Sequence, residues 1–367
     1  MKPSAAIHAP SDEEAVAFLC EIVSIYSPST QERAVAERIV EAFRAWGLEA
    51  EIDAAGNAVG RVGQGACDVL LLGHIDTVAG FPPVRLEGGI LYGRGAVDAK
   101  GPFAAMAVAI TRAGASGALG NLRVAVVGAV EEEAATSKGA RHILATWTPP
   151  TFVVIGEPSR WDRLTIGYKG RLLVDYTLER PVSHTAGRER SACEEAVEFW
   201  LRLRAWVEAY NADKDSLFAR VDPSLRHIHS EADGLVERVT MGIGLRLPVG
   251  FDGEALKANL ESWRGEAVVS TRGYEPAFRA EKRNALTSAF LTAIRAEGGV
   301  PAFLTKTGTS DMNVLGPHWP CPIVAYGPGD SALDHAPDEH IEIAEYLASI
   351  RVLTRVLERL ASNEKGP

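Results

Sequence analysis

Leu70-Leu71-Leu72-Gly73-His74-Ile75-Asp76-Thr77-Val78 reads as a buried apolar strand with an imidazole and a carboxylate at its mouth. Side chains two apart on a strand share a face, so His74 and Asp76 can touch. A histidine that binds a metal usually donates its other ring N–H to a carboxylate, which fixes its tautomer and raises its basicity. A structural histidine satisfied by a local aspartate would look the same. The surrounding sequence separates the two.

Further short apolar runs, 122–130 and 151–155, alternate with helical stretches at 102–114 and 137–146. That alternation predicts an α/β layer with a central, largely parallel sheet. Upstream, Ser11-Asp12-Glu13-Glu14 has the capping-box pattern that opens a helix, and a second helix over 32–46 stops at Gly47. After Glu157 the texture changes. A strand at 170–178, a helix at 192–210, strands at Val236–Leu247 and 266–272, and a helix at Gly253–Trp263 suggest a compact α+β, ferredoxin-like insert. A helix over 279–296 and an apolar run at 322–326 then lead back. The expected division is a discontinuous domain of residues 1–166 and 278–367, with an insert at 167–277.

A chain of 367 residues with 46% hydrophobic and 23% charged residues has material for two globular cores. The net charge of -10 argues against nucleic-acid binding, which wants a basic face. No apolar stretch is long enough to span a bilayer, and residues 1–10 lack a secretory pattern. Cys20, Cys67, Cys193 and Cys321 are scattered without paired spacing, which points to a reducing cytoplasm and leaves any metal to histidine and carboxylates.

Such groups recur at the ends of the apolar runs. Asp98 lies in Gly93-Arg94-Gly95-Ala96-Val97-Asp98-Ala99-Lys100-Gly101, where on its own it would read as a helix N-cap. Val126-Val127-Gly128-Ala129-Val130 runs into Glu131-Glu132-Glu133, and acids at the end of a buried strand are expensive unless a cation sits there. Ile155-Gly156-Glu157-Pro158 repeats the arrangement, and Leu333-Asp334-His335-Ala336-Pro337 adds a histidine. In open α/β sheets ligands bind beyond the carboxyl ends of the strands. Five separate deliveries of histidine or carboxylate to that edge predict a metal centre there.

In order and spacing these motifs resemble those of the co-catalytic zinc aminoacylase and carboxypeptidase family, which includes acetylornithine deacetylases and succinyl-diaminopimelate desuccinylases. The resemblance covers nearly the whole chain. It implies a zinc-exopeptidase-like catalytic domain with an inserted lid and dimerisation domain, and two divalent ions per subunit, zinc or cobalt in its place. By resemblance His74 and Glu157 hold one ion, Glu133 and His335 the other, and Asp98 bridges. Asp76 orients His74, and Glu132 is the general base. The family's usual aspartate before the glutamate pair is Glu131 here; the distance to Lys138-Gly139-Ala140 sets the base at Glu132, the alternative register being one residue along. The resemblance also makes His184 of the insert an oxyanion donor reaching across a homodimer. Arg246 becomes the partner of a substrate α-carboxylate, although the usual aspartate two residues earlier is Gly244. Thr309 and Ser310 belong to a substrate-binding loop.

Within the family, Gly95 to Pro102, Gly167-Tyr168-Lys169-Gly170 and Lys306 to Asn313 most resemble the hydrolases that release lysine or ornithine from an amino-group carrier protein. That carrier is small and acidic, so local cations must receive it; Lys169, Arg171, Lys306 and Arg246 are the candidates. The same machinery would serve N-acetylornithine (or N-acetyl-lysine) deacetylation or N-succinyl-diaminopimelate cleavage. A catalytically silent binding homologue is the reading from a different class.

Overall fold

The computed structural model describes residues 6–182 and 189–363. They form two units, one drawn from Met1–Gly167, Arg279–Thr305 and Ser310–Pro367, the other from Tyr168–Phe278 and Lys306–Thr309.

In chain order the first unit opens with α1 (Asp12–Val23), α2 (Arg33–Ala45), β1 (Glu49–Ile52), β2 (Ala58–Val62), β3 (Cys67–His74), β4 (Arg85–Glu87) and β5 (Ile90–Tyr92). It continues with α3 (Lys100–Ala115), β6 (Leu122–Ala129), α4 (Lys138–Thr146), β7 (Phe152–Gly156) and β8 (Arg163–Tyr168). The second unit contains β9 (Gly170–Pro181), α5 (Ala192–Asn211), β10 (Asp222–Ala232), β11 (Val236–Leu247), α6 (Gly253–Trp263) and β12 (Val268–Glu275). The chain then adds β13 (Phe278–Arg279), α7 (Ala285–Ala296), β14 (Ala302–Lys306), α8 (Asp311–Leu315), β15 (Ile323–Ala325), β16 (His340–Glu342) and α9 (Ile343–Asn363).

The capping box predicted for α1 is present in both directions, with Glu14 N–H on the Ser11 hydroxyl and Ser11 N–H on the Glu14 carboxylate. At the other end of α1 the buried Lys100 ammonium donates to the Ile22 and Ile25 carbonyls, at 3.0 and 2.7 Å. A cation there satisfies carbonyls that a helix end leaves over and suits its dipole.

The main sheet runs β1-β2-β6-β3-β7-β15-β8-β13, with β14 beside β8. Its centre, β6-β3-β7-β15, is parallel, while β1-β2, β2-β6 and β15-β8 are antiparallel. The sheet is therefore mixed, and the parallel reading belongs to the strands that carry the chemistry. Those strands are buried along almost their whole length, as central parallel strands are. Register places Gly128, Gly73 and Gly156 in one row across β6, β3 and β7. Helix α3 presses on that row: a Cβ on Gly73 would lie 3.3 Å from Phe103 Cβ, and one on Gly156 would lie 3.0 Å from the Met106 sulfur. Glycine is needed there, one residue before His74 and Glu157.

In the second unit the sheet order is β10-β11-β9-β12, antiparallel throughout. Leu172, Val174, Tyr176, Met241 and Ile243 pack with Phe199 and Leu203 of α5 and with Leu256 and Leu260 of α6 into a core of their own. Two expectations need correction. Strand β10 was missed because it is an edge strand, exposed along nearly its entire length, so Asp222–Ala232 shows no apolar alternation. The helix expected over 279–296 starts only at Ala285, because the Asn284 side chain caps the Thr287 N–H. Helix α9, for which no expectation was made, packs on α3 and α7. No helix among the described residues is long and apolar enough to cross a membrane.

Candidate metal centre

Strand β3 ends on His74, 1% exposed, whose Nε2 lies 3.1 Å from Asp98 Oδ1. Its Nδ1 lies 3.0 Å from the Asp76 carbonyl and 3.3 Å from Asp76 Oδ1. Asp76 does more than sequence reasoning asked of it. Its carboxylate also accepts the N–H groups of Glu132 and Glu133, at 3.1 and 3.0 Å, and the Ser29 hydroxyl at 2.7 Å. One buried carboxylate thus fixes the imidazole and the backbone of the glutamate pair.

That backbone leaves β6 through Glu131 at φ 58. The Glu131 N–H donates to the buried Glu32 carboxylate at 3.0 Å, and the Val130 N–H donates to Asn57 Oδ1 at 3.1 Å. His335 is likewise left-handed, at φ 62, a conformation that costs a non-glycine residue about 1–3 kcal/mol and clusters at functional sites. Its Nε2 lies 2.7 Å from Glu133 Oε1 and 3.1 Å from Asp98 Oδ2. Asp98 therefore stands between two histidines, one on each oxygen. His74, Asp98 and Glu133 each offer a ligand atom, and these atoms lie within 4.8 Å of one another. Glu157, buried, follows Gly156, whose register partner is Gly73, so the β3 and β7 ends set it beside His74.

The electrostatics express a demand for positive charge. Burial works against a charged His74, but hydrogen bonds to Asp76 and Asp98 outweigh it and raise its pKa well above the usual range. Hydrogen bonds to Asp98 and Glu133 raise that of His335 to about 10. Glu132, though partly exposed by surface area, is ringed by protein. Burial first, and then the charges of Glu157, Asp311 and Glu133, push its carboxyl well up despite the opposing His74. Nitrogen and oxygen donors around clustered acids are a fit for divalent cations such as zinc or cobalt. Asp98 directs one oxygen to each histidine and so joins the two imidazoles.

Of the substrate-contacting residues expected in the second unit, Arg246, Thr309, Lys169 and Lys306 are linked to one another. Arg246 Nη1 donates to Thr309 Oγ1 at 2.6 Å, and that hydroxyl donates to the Lys169 carbonyl at 3.3 Å. The Lys306 carbonyl accepts from Lys169 N–H at 3.1 Å. Lys169 was expected as a cation offered to a carrier, but its ammonium is buried, donating to Asp222 and to the Leu217 carbonyl. Burial lowers its pKa against the pull of Asp222. Ser310, in the first unit, caps α8 through the Met312 N–H at 3.2 Å, so its hydroxyl has a structural task. His184 lies outside the described residues. Sequence reasoning missed Ser29, Glu32 and Lys100, polar residues whose partners lie far away in the chain and leave no local signal.

This arrangement is that of a metal-dependent hydrolase. Residues 70–359 match the profile of Peptidase family M20/M25/M40, and the chain belongs to that family. A LysW-lysine hydrolase of Deinococcus radiodurans is 45% identical over 358 residues, spanning 96% of this chain and 98% of that protein. A putative LysW-lysine/LysW-ornithine hydrolase of Thermococcus kodakarensis is 38% identical over 351 residues, spanning 95% and 93%. Among solved structures, an M20 metallo-carboxypeptidase of Sulfolobus solfataricus superposes with TM-score 0.77 at 17% identity, over 95% of this chain and 99% of that one. A dinuclear metal-binding M20 peptidase of Bacillus subtilis gives TM-score 0.69 at 12% identity, over 96% and 98%. At such identities the structures speak for the fold alone. The family, fold class and hydrolytic activity expected from the motifs are borne out.

Proposed function

We propose that this enzyme hydrolyses the amide joining lysine, and also ornithine, to the terminal glutamate of LysW, a small acidic amino-group carrier protein, in lysine and arginine biosynthesis. The observation that carries this reading is the end-to-end 45% identity to the Deinococcus radiodurans LysW-lysine hydrolase. In it, His74 and Glu157 would hold one divalent ion and Glu133 and His335 the other, with Asp98 shared between the two sites. Divalent ions held there, zinc or cobalt, would supply Lewis-acid activation of a water and of the amide carbonyl.

The chain's own residues do the rest. Glu132 takes a proton from the attacking water as its oxygen bonds to the carbonyl carbon. It then returns that proton to the lysine α-amine as the C–N bond breaks. Only a carboxylate not engaged as a ligand can do this, which is why the pair Glu132 and Glu133 divides the two tasks. Asp76 keeps His74 in one orientation and the glutamate backbone in place. Arg246, steadied by Thr309, is assigned the lysine α-carboxylate, for which its planar fork is suited. Lys306 is assigned to the carrier's acidic surface, and Lys169 and Ser310 to support of that loop.

The second unit is assigned as lid and dimerisation domain, with His184 of the partner subunit steadying the oxyanion. Its edge strand β10, which carries exposed Leu225 and Ile228, and exposed Val197 and Leu201 of α5 support a homodimer. Four free cysteines support a reducing cytoplasm.

The test is a substrate panel of LysW-lysine, LysW-ornithine, N-acetylornithine and N-succinyl-diaminopimelate. Faster release of lysine from the carrier than turnover of either small amide is expected. An intact carrier adduct alongside rapid turnover of a small amide overturns the proposal.

A further inference from the structure

The loop that brings Asp98 to the centre has no strand or helix of its own to take its N–H groups. Between β5 and α3 the chain passes through Gly93 and Gly95 in positive-φ conformations, at 155 and 86°. Three of the N–H groups that follow, those of Gly95, Val97 and Asp98, converge on a single oxygen, Glu339 Oε1, at 2.9, 2.9 and 3.1 Å. The Glu339 side chain is fully buried. Its other oxygen accepts from Arg94 Nη1 at 2.7 Å, and the same Nη1 donates to the Ala336 carbonyl at 3.2 Å. Ala336 adjoins His335, and the Glu339 N–H closes back on the Ala336 carbonyl at 3.3 Å. The Gly93 N–H reaches the Glu339 carbonyl at 3.0 Å.

We propose that Glu339, with Arg94, is the positioning residue of the metal centre: it clasps the Asp98 loop to the His335 turn and so sets the separation of the bridging carboxylate from one terminal histidine. This rests on the dinuclear reading above. A buried carboxylate needs its lone pairs met, and here three N–H groups and a guanidinium meet them. A neutral amide of the same shape cannot do the same. If its oxygen faces the three N–H groups, its NH2 faces Arg94, donor against donor; if flipped, it faces the N–H groups as a donor. Either way the loop or the turn is released. His74 and Glu157 hang on β3 and β7 and are not held by this clasp. The consequence is therefore unequal: the site formed with Glu133 and His335 loosens more than the site formed with His74 and Glu157.

Metal-free wild type, Glu339→Gln and Arg94→Met are titrated with Co2+, followed by calorimetry and by the visible d–d bands, with circular dichroism to verify folding. Wild type is expected to take up two ions. Glu339→Gln is expected to bind one of them at least ~10-fold more weakly, as loss of an outer hydrogen-bond partner typically does, with shifted bands for the dicobalt form. Should the glutamine variant not fold, Arg94→Met, which leaves the three N–H bonds in place, is expected to give the same selective weakening. A clasp with a merely structural role would lower the melting temperature and leave affinities and bands as in wild type, and that result overturns the proposal. Wild type that fails to bind two ions overturns the dinuclear reading itself, and this proposal with it. The two failures are thus distinguishable.

Discussion

Replacing Glu132 and Glu133 by glutamine, one at a time, should give opposite phenotypes from adjacent and isosteric changes. Among the described residues, hydrogen bonds of the cluster run through Glu133, whose Oε1 is 2.7 Å from His335 Nε2, and not through the Glu132 carboxylate. Both backbone N–H groups stay on Asp76 whichever side chain is changed. Glu132→Gln therefore removes no link of the cluster and is expected to retain both ions after dialysis, measured by elemental analysis. It loses a general base, typically worth about 10²–10⁴ in rate. At 1.36 kcal/mol per tenfold that is roughly 2.7–5.4 kcal/mol on the barrier, and it should appear in kcat with KM little changed. Glu133→Gln removes a ligand and is expected to lose at least one ion, with affinity down by more than the ~10–100-fold of an outer-partner loss. Steady-state release of lysine from the carrier adduct, beside metal content, reads both variants. If Glu132→Gln sheds metal while Glu133→Gln keeps it and loses only turnover, base and ligand are exchanged and the register argued here is wrong.

Gly156→Ala places a Cβ 3.0 Å from both the Gly73 Cα and the Met106 sulfur. Overpacking of about 1–3 kcal/mol is expected in a denaturant melt, with reduced metal content because the β3 and β7 ends move apart; a variant matching wild type in both would refute the close-approach argument. Chelation should abolish activity and lower the melting temperature, and restoring free metal to 100-fold above its Kd should return about 2.7 kcal/mol of stability. An unchanged melting curve would count against ligands preorganised for the ion. Mixing His184→Ala chains with Glu132→Gln chains should recover part of the activity lost in each parent, because mixed dimers contain one site with both groups intact; no recovery argues against a shared site.

The sequence made the strand ends legible because a parallel strand buried on both faces has to be apolar. The polar residue that breaks such a run at Gly73-His74 or Gly156-Glu157 therefore stands out, and the glycine before it marks where α3 comes close. Strand β10 lacked that contrast: an edge strand with solvent along most of its length has no reason to alternate. Lys169 and Ser310 illustrate a different limit. Motif position suggested substrate contact, yet a lysine near Asp222 and a serine ahead of a helix are first of all an ion-pair partner and a cap, and which task prevails depends on neighbours more than fifty residues away for the lysine and two for the serine. Expectations drawn from residue type survive best where burial leaves a group few alternatives.

The buried carboxylates of the first unit divide into two sets that no residue letter distinguishes. Asp76, Glu32, Glu339 and Glu345 each accept two or more backbone N–H groups, and Asp76 and Glu339 a side-chain donor besides. Asp76 takes the N–H groups of Glu132 and Glu133, and Glu32 those of Thr30 and Glu131. Glu339 takes three in the Asp98 loop, and Glu345 takes those of Trp161 and Gly329. Asp98 and Glu133 instead meet histidines, whose raised pKa values register the surplus of negative charge around them. Carboxylates of the first kind can be buried with the polypeptide alone, because oriented N–H groups and neighbouring donors meet their lone pairs. Carboxylates of the second kind cannot, since placing several together raises the energy of each unless a cation joins them. Each member of the first set grips a loop that carries, or adjoins, a residue assigned to the metals. The loops of the centre are thus held by acids outside the proposed ligand set. Mutational loss of metal should accordingly spread beyond the ligands to residues that act by holding backbone N–H groups.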